Sequence, residues 1–272
     1  MDHRLEELKK WLGNYSSAAI AFSGGVDSTF LARVARDIYG EKLLLVTATS
    51  STYPVYELEE AKSLAGQLQI RHLIINSEEL DIPGFSENPP DRCFHCKNEL
   101  FSKINAVAVK EGLEVVFDGS NVEDTGDYRP GMRAKKLHGV LSPLMETGFT
   151  KNEIRHFSRI FELPTAEKQS YACLSSRFPY GEKITREKLG ILSEAELGLR
   201  KLGFTQFRIR SHENLARLEF IRAELGKAWE MRETLTKICR DSGFKFVTID
   251  LEGYRTGAMN EALSEEIKER YK

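Results

Sequence analysis

At 272 residues, 41% apolar and 29% charged, the chain has the make-up of a water-soluble globular protein with room for two cores. Its formal charge of −2, from 39 Lys and Arg against 41 Asp and Glu, lacks the basic surplus that goes with binding a polynucleotide backbone, so nucleic acid is not an expected partner. No run approaches the roughly 20 apolar residues of a membrane span, and the opening MDHRLEELKKWLG sets Leu5, Leu8 and Leu12 at helical spacing among charges, unlike a signal peptide; a cytoplasmic protein is expected.

Residues 16–22 (SSAAIAF) form a short apolar strand that runs into SGGVDST, after which Phe30, Leu31, Val34, Ala35 and Ile38 recur at helical spacing. The same alternation follows with a strand at 42–49 and a helix at 55–68, then a strand at 71–76 and a helix at 98–109. A further strand lies at 114–118. Strands alternating with helices predict a parallel sheet covered on both faces, with ligands at the carboxyl ends of the strands. The segments SGGVDST, TSSTYP, CFHC and DGSNVED all follow strands and are expected at that edge. From about residue 183 the texture changes to a helix through 202, strands at 206–210 and 215–221, a helix at 223–242 and a last strand at 245–251. Pro179 and Gly181 interrupt regular structure, so the boundary is placed near residues 180–184, giving domains 1–182 and 183–272.

In Ser23-Gly24-Gly25-Val26-Asp27-Ser28-Thr29 the glycines let the backbone approach a phosphate closely, and hydroxyls and helix-start amides supply donors. An anion is expected there; the competing reading is a structural strand-to-helix turn. The GK[ST] of a Walker loop is missing, which argues against γ-phosphate transfer. SGGVDS matches the PP-loop of the ATP pyrophosphatases, enzymes that cleave ATP between the α- and β-phosphates. With ENPPDRCFHCK, DGSNVEDTGDYRPGMRA, LSPLMETGFTKNEIR, LPTAEKQSYACLSSRFPYGEKIT and FRIRSHENLARLE, the chain resembles, over nearly its whole length and in order, the ATP-dependent sulfur transferase (LarE) family, which supplies sulfur for the nickel-pincer nucleotide cofactor of lactate racemase.

That resemblance implies an α/β fold: a parallel-sheet PP-loop (adenine nucleotide alpha hydrolase-like) domain with a smaller α+β C-terminal domain for sulfur transfer and substrate binding. It implies adenylation by ATP of a carboxylate of pyridinium-3,5-biscarboxylic acid mononucleotide, followed by displacement of AMP by sulfur. Adenylation is needed because a free carboxylate is a poor electrophile with no good leaving group. By the same resemblance ATP is held by Ser23, Gly24, Gly25, Val26, Asp27, Ser28, Asp118, Asn121 and Lys151. Asp27 is placed as the carboxylate for Mg²⁺, or alternatively as an acid favouring the helix start; Lys151 as a phosphate partner, or alternatively a solvated surface lysine. Cys173 corresponds to the family's sulfur-donating cysteine, with Arg177 four residues on to favour its thiolate; the alternative is a small buried hydrophobe. Arg208 and Arg210 share one face of a strand and are expected to clamp the substrate phosphate, an exposed arginine pair being the alternative.

Four cysteines in a reducing compartment read as metal ligands or reactive thiols before disulfides. Cys93 and Cys96 enclose Phe94 and His95, and with Cys173 they resemble the triplets with which PP-loop tRNA thiolases hold a [4Fe-4S] cluster carrying sulfide at an open iron. The main rival is sacrificial donation by Cys173 alone, which would leave dehydroalanine. A zinc site, a redox pair and simple packing are the other readings. Cys239 reads as structural. The expected partners are the pyridinium mononucleotide and inorganic sulfide or another sulfur donor, in a homo-oligomer by family resemblance. The competing functions are a tRNA thiolase, an amide-forming PP-loop ligase, which would explain RPGMRA and the segment 118–121 but not Cys173, and a nucleotide sensor without chemistry.

Overall fold

The computed structural model describes residues 2–125, 130–169, 172–255 and 257–270. Arg129 of RPGMRA, and Ser170 and Tyr171 just before the Cys173 segment, lie outside them. By its contacts the chain divides into two units, the first made of residues 2–78 and 91–169, the second of 79–90 with the described residues from 172 onward. The sequence placed residues 172–182 with the nucleotide-binding part. Their partners are in the second unit: Asn88 donates to the Phe178 and Pro179 carbonyls, and the amides of Gly181 and Ile184 reach back to the carbonyls of Asn88 and Ser86.

The first unit is the α/β layer structure that the alternating pattern predicts. Its elements are α1 (Asp2–Leu12), β1 (Ala18–Ala21), α2 (Val26–Tyr39), β2 (Leu43–Thr49), α3 (Val55–Leu68), β3 (Arg71–Asn76), α4 (Arg92–Lys110), β4 (Val115–Phe117), α5 (Gly131–Leu137), α6 (Pro143–Glu146) and α7 (Lys151–Ile160). The strands form one parallel sheet in the order β3-β2-β1-β4. Alternate side chains of a strand point to opposite faces. Ala18, Ile20, Leu43 and Leu45 therefore join the core under α1, α2, α3 and α7, while Ala19, Leu44, Val46 and Val116 join Phe101, Ile104 and Ala134 of α4 and α5 on the other face. Both faces are covered, which is why β1 and β2 read as unbroken apolar runs.

The order reverses between β1 and β4: the chain leaves β1 toward β2 and β3, then crosses back to the far side of β1. Open α/β sheets bind ligands at such a switch, beyond the carboxyl ends of the strands. The loops after β1 and β4 are SGGVDST and DGSN, so topology brings these two motifs together.

The second unit contains α8 (Arg186–Lys201), β5 (Phe207–His212), β6 (Leu215–Phe220), α9 (Leu225–Glu230), α10 (Arg232–Ser242), β7 (Phe246–Ile249) and α11 (Glu265–Arg270). β5 and β6 are an antiparallel hairpin and β7 lies parallel to β6. α8, α9 and α10 close the core with Leu192, Leu199, Ala228, Leu235 and Cys239 against Ile209, Leu218 and Phe220. The single helix expected over 223–242 is two helices that meet at Met231.

Candidate active site

The glycine loop is held by its own hydroxyls. The Ser28 side chain donates to the Gly25 carbonyl, its Oγ accepts from the Ser23 amide, and the two serine hydroxyls lie 3.2 Å apart. Gly24 has φ +65°, and a Cβ there would stand 3.2 Å from the Cα and Cβ of Ala61 on α3; a side chain is opposed by both backbone preference and neighbour. Gly119, in the loop after β4, is closer still: a Cβ would come within 2.9 Å of the Ser28 amide nitrogen. The two loops touch, and glycine is what lets them. α2 starts at this point with Gly25 as its N-cap and no side-chain cap, so its amide-rich, positive end faces the loop.

Asp27 lies in the first turn of α2 and accepts from Lys151 Nζ at 2.5 Å and Asn121 Nδ2 at 3.4 Å. Burial raises its carboxyl above the usual aspartate range, against the opposing pull of Lys151. Lys151 begins α7, whose Thr150 and Glu153 form a reciprocal capping box, and it is thereby brought to Asp27 from 124 residues away. Asp118 is buried. Its carboxylate accepts from Ser120 Oγ at 2.8 Å and Ser142 Oγ at 2.6 Å and pairs with Lys135 Nζ at 3.3 Å. Burial pushes the Lys135 ammonium down, with Asp118 opposing.

Ser120, Lys135 and Ser142 carry no signal in the sequence, and neither does Lys168. Its ammonium contacts the Gly24 carbonyl at 3.2 Å, buried Glu57 at 2.7 Å and Glu60 at 2.5 Å, tying the PP-loop to α3. Neither lysine sits at a telling interval from its partner; Lys168 lies inside a family-like segment, and Lys135 just past the end of one.

Cys93 and Cys96 are not in a loop after a strand. They lie in the first turns of α4, which starts at Arg92 where the sequence predicts a helix only from 98, with residues 77–91 between it and β3. At a separation of three they share one helical face; Cys93 is exposed and Cys96 half-buried. Lys103 reaches the carbonyl of Asn76 at the carboxyl end of β3, and at 1.5 Å per residue Cys93 lies roughly 15 Å from Lys103 along the axis of α4. His95 approaches Asp91 at 3.5 Å, and Phe94 packs under the guanidinium of Arg133. Within either unit, among the described residues, no group of three or more His, Cys, Asp and Glu side chains is gathered as a metal site.

Cys173 belongs to the second unit and is half-exposed. Its carbonyl accepts from the Ser176 amide, the Ser176 hydroxyl and Arg177. Arg177, fully buried, forms a two-pronged pair with Glu196 of α8 at 2.7 and 3.1 Å and also donates to the Ala172 carbonyl. Its contacts thus fix the backbone of the cysteine segment. Arg208 and Arg210 are buried, unlike the exposed arginine pair that was the alternative to a phosphate clamp. Arg210 pairs with Glu219 at 2.8 Å and donates to the Ser176 carbonyl; Arg208 lies 4.9 Å from the Tyr254 ring and is pushed below the usual arginine range by burial and by neighbouring Arg177. Three guanidiniums therefore gather in one unit with Glu196 and Glu219.

No protein-family model matches the chain. It is 41% identical over 266 residues to an uncharacterized protein of Synechocystis sp., covering 97% of this chain and 99% of that one. It is 33% identical over 254 residues to the pyridinium-3,5-bisthiocarboxylic acid mononucleotide synthase of Lactiplantibacillus plantarum, covering 93% of this chain and 92% of the synthase. The chain belongs to the LarE sulfur transferase family. A more distant likeness, 27% over 248 residues, joins it to one component of the glutamine-hydrolyzing GMP synthase of Saccharolobus solfataricus, a PP-loop relative. The family is one of enzymes, and the likeness to the GMP synthase component covers 82% of this chain.

Proposed function

We propose that this enzyme converts pyridinium-3,5-biscarboxylic acid mononucleotide to its thiocarboxylate at the expense of ATP. The observation that carries this reading is the end-to-end similarity to the L. plantarum synthase, on a chain whose switch-point loops bring Asp27 and Asn121 together, with Lys151 of α7 on Asp27. A substrate carboxylate oxygen attacks the α-phosphorus of ATP and pyrophosphate leaves. Sulfur then adds to the acyl adenylate and AMP departs with the original oxygen. Ser23, Gly24, Gly25, Val26 and Ser28 receive the phosphates, with the α2 amides as donors. Asp27 would hold Mg²⁺ once Lys151, the cation now on its carboxylate, turns to phosphate, and an ion held there would supply positive charge against the departing pyrophosphate. Asp118 holds Ser120, Ser142 and Lys135 in place by direct contacts.

Cys173 is the thiol required in either sulfur route, and Arg177 sets its backbone. Cys93, Cys96 and Cys173 fit a [4Fe-4S] cluster in chemistry, since all three are thiols and the first two share a face at a helix start, where thiolates are favoured. Bound there, the cluster would present sulfide and spare the protein its own sulfur. Sacrificial donation by Cys173 is the alternative. Arg208 and Arg210 recognise the mononucleotide phosphate. We assign activation to the first unit and substrate binding, with Cys173, to the second, in a cytoplasmic homo-oligomer; no described helix is long and apolar enough to cross a membrane.

The test is the nucleotide product. With the bis-acid mononucleotide present, ATP should yield AMP and pyrophosphate; ADP would overturn the reading.

A further inference from the structure

The arginine cluster of the second unit carries an aromatic residue that neither the loop motifs nor the phosphate reading explains. β7 ends at Ile249, and the chain then turns sharply: Asp250 accepts from the amides of Glu252 and Gly253, and Gly253 has φ +75°. A Cβ on Gly253 would stand 2.5 Å from the carbonyl oxygen of Phe220 at the end of β6, and the Tyr254 amide donates to that same carbonyl at 2.8 Å. The turn is therefore seated against β6 by backbone, and it delivers the Tyr254 ring to the guanidinium of Arg208, 4.9 Å from carbon to ring centroid.

Side-chain charges close the same circuit. Asp250 faces Arg217 at 3.6 Å, Arg217 pairs with Glu219 at 3.0 Å, and Glu219 pairs with Arg210 at 2.8 Å. The turn that carries Tyr254 to Arg208 is thus tied by ion pairs to Arg210. Tyr254 is half-buried and stands outside the apolar core of its unit, which argues against a purely packing role.

We infer that Tyr254 is a positioning residue for the substrate's phosphate, acting through Arg208. An aromatic face under a partly desolvated guanidinium attracts it and fixes its plane. Arg208 Nη1 also donates to the Phe207 carbonyl at 2.7 Å, so ring and carbonyl together hold the guanidinium plane in one direction, the requirement for recognising a phosphate by a directed donor. Tyr254 would act on substrate affinity and leave ATP chemistry alone. This inference rests on the reading of Arg208 and Arg210 as the phosphate site.

The experiment compares Tyr254→Leu, Tyr254→Phe and Arg208→Ala in steady-state kinetics with the bis-acid mononucleotide and with ATP, alongside thermal melts. Tyr254→Leu should raise KM for the mononucleotide about five- to tenfold, with kcat, KM for ATP and Tm close to those of the parent. Tyr254→Phe should restore the parent KM, because the ring and not the hydroxyl does the work. If Arg208→Ala raises KM and Tyr254→Leu does not, the role of Tyr254 is wrong and the phosphate site stands. A parallel fall in Tm and kcat in Tyr254→Leu, or failure of Phe to rescue it, would likewise overturn the inference. An Arg208→Ala enzyme with unchanged KM would instead bring down the phosphate site, and this inference with it.

Discussion

Asp27 keeps a carboxylate in a place that resists charge. Burial raises its pKa above the ordinary 3.8, and Lys151 at 2.5 Å only partly offsets this. A group whose folded pKa is raised binds its proton more tightly folded than unfolded, so it contributes stability at low pH that is lost as pH rises through the shifted range. Urea melts of Asp27→Asn beside the parent should therefore show the parent losing ground to the variant as pH increases from about the ordinary aspartate pKa toward neutrality. The same variant should lose Mg-dependent adenylation. Cys239 shows the same effect on a thiol: it is fully buried, and burial pushes its pKa up to about 12. An alkylating reagent should label exposed Cys93 in the native protein and reach Cys239 only after unfolding. Arg177 has structural weight of its own. Substituting Met would leave Glu196 buried beside one fewer cation, and breaking such a pair costs about 3–5 kcal/mol; chemical denaturation measures it, and Arg177→Met with Glu196→Gln should recover part of the loss.

At the scale of elements, two junctions decide what the site can do. Gly119 lets the loop after β4 lie on the first turn of α2, and Gly119→Ala forces a Cβ to within 2.9 Å of the Ser28 amide. Such overpacking costs typically about 1–3 kcal/mol, and here it falls on the turn that we propose binds phosphate; KM for ATP should rise more than KM for the mononucleotide. The start of α4 is the other junction. If Cys93, Cys96 and Cys173 hold a cluster, anaerobically reconstituted protein should carry about four irons per chain, and Cys93→Ala should lose both iron and repeated turnover. If Cys173 alone donates sulfur, Cys93→Ala should keep its activity and each chain should turn over once.

These elements also show what can be read from residues and what cannot. SGGVDST and the alternating strands and helices are local patterns, and the sheet they predict is the one present. The start of α4 escapes a periodicity argument because its first turns, RCFHCK, carry charge and no helical apolar stripe. Lys135, Lys168 and Glu196 are silent in the sequence because their partners are set by tertiary fold: Lys168 meets Glu57 across 111 positions. The burial of Arg208 and Arg210 is hidden for a similar reason, since strand alternation gives a shared face but not what covers it. In β5 every residue from Phe207 to Ser211 is buried. Residues 79–90 pack with the second unit by contacts that no local period announces.

At the scale of the whole molecule, we propose that the parallel-sheet unit activates the carboxylate and that the α+β unit, which carries Cys173, serves the delivery of sulfur to it. Full-length coverage of the L. plantarum synthase means both halves have counterparts there, while the likeness to the GMP synthase component covers 66% of that protein. The measurement that tests this most directly is mass analysis of the products after purified enzyme is incubated anaerobically with ATP, Mg²⁺, sulfide and pyridinium-3,5-biscarboxylic acid mononucleotide. The account predicts a mononucleotide in which sulfur has replaced one carboxylate oxygen, with one AMP and one pyrophosphate for each sulfur transferred. AMP and pyrophosphate accompanied by an amide or by unchanged bis-acid, with the protein's own mass also unchanged, would contradict it.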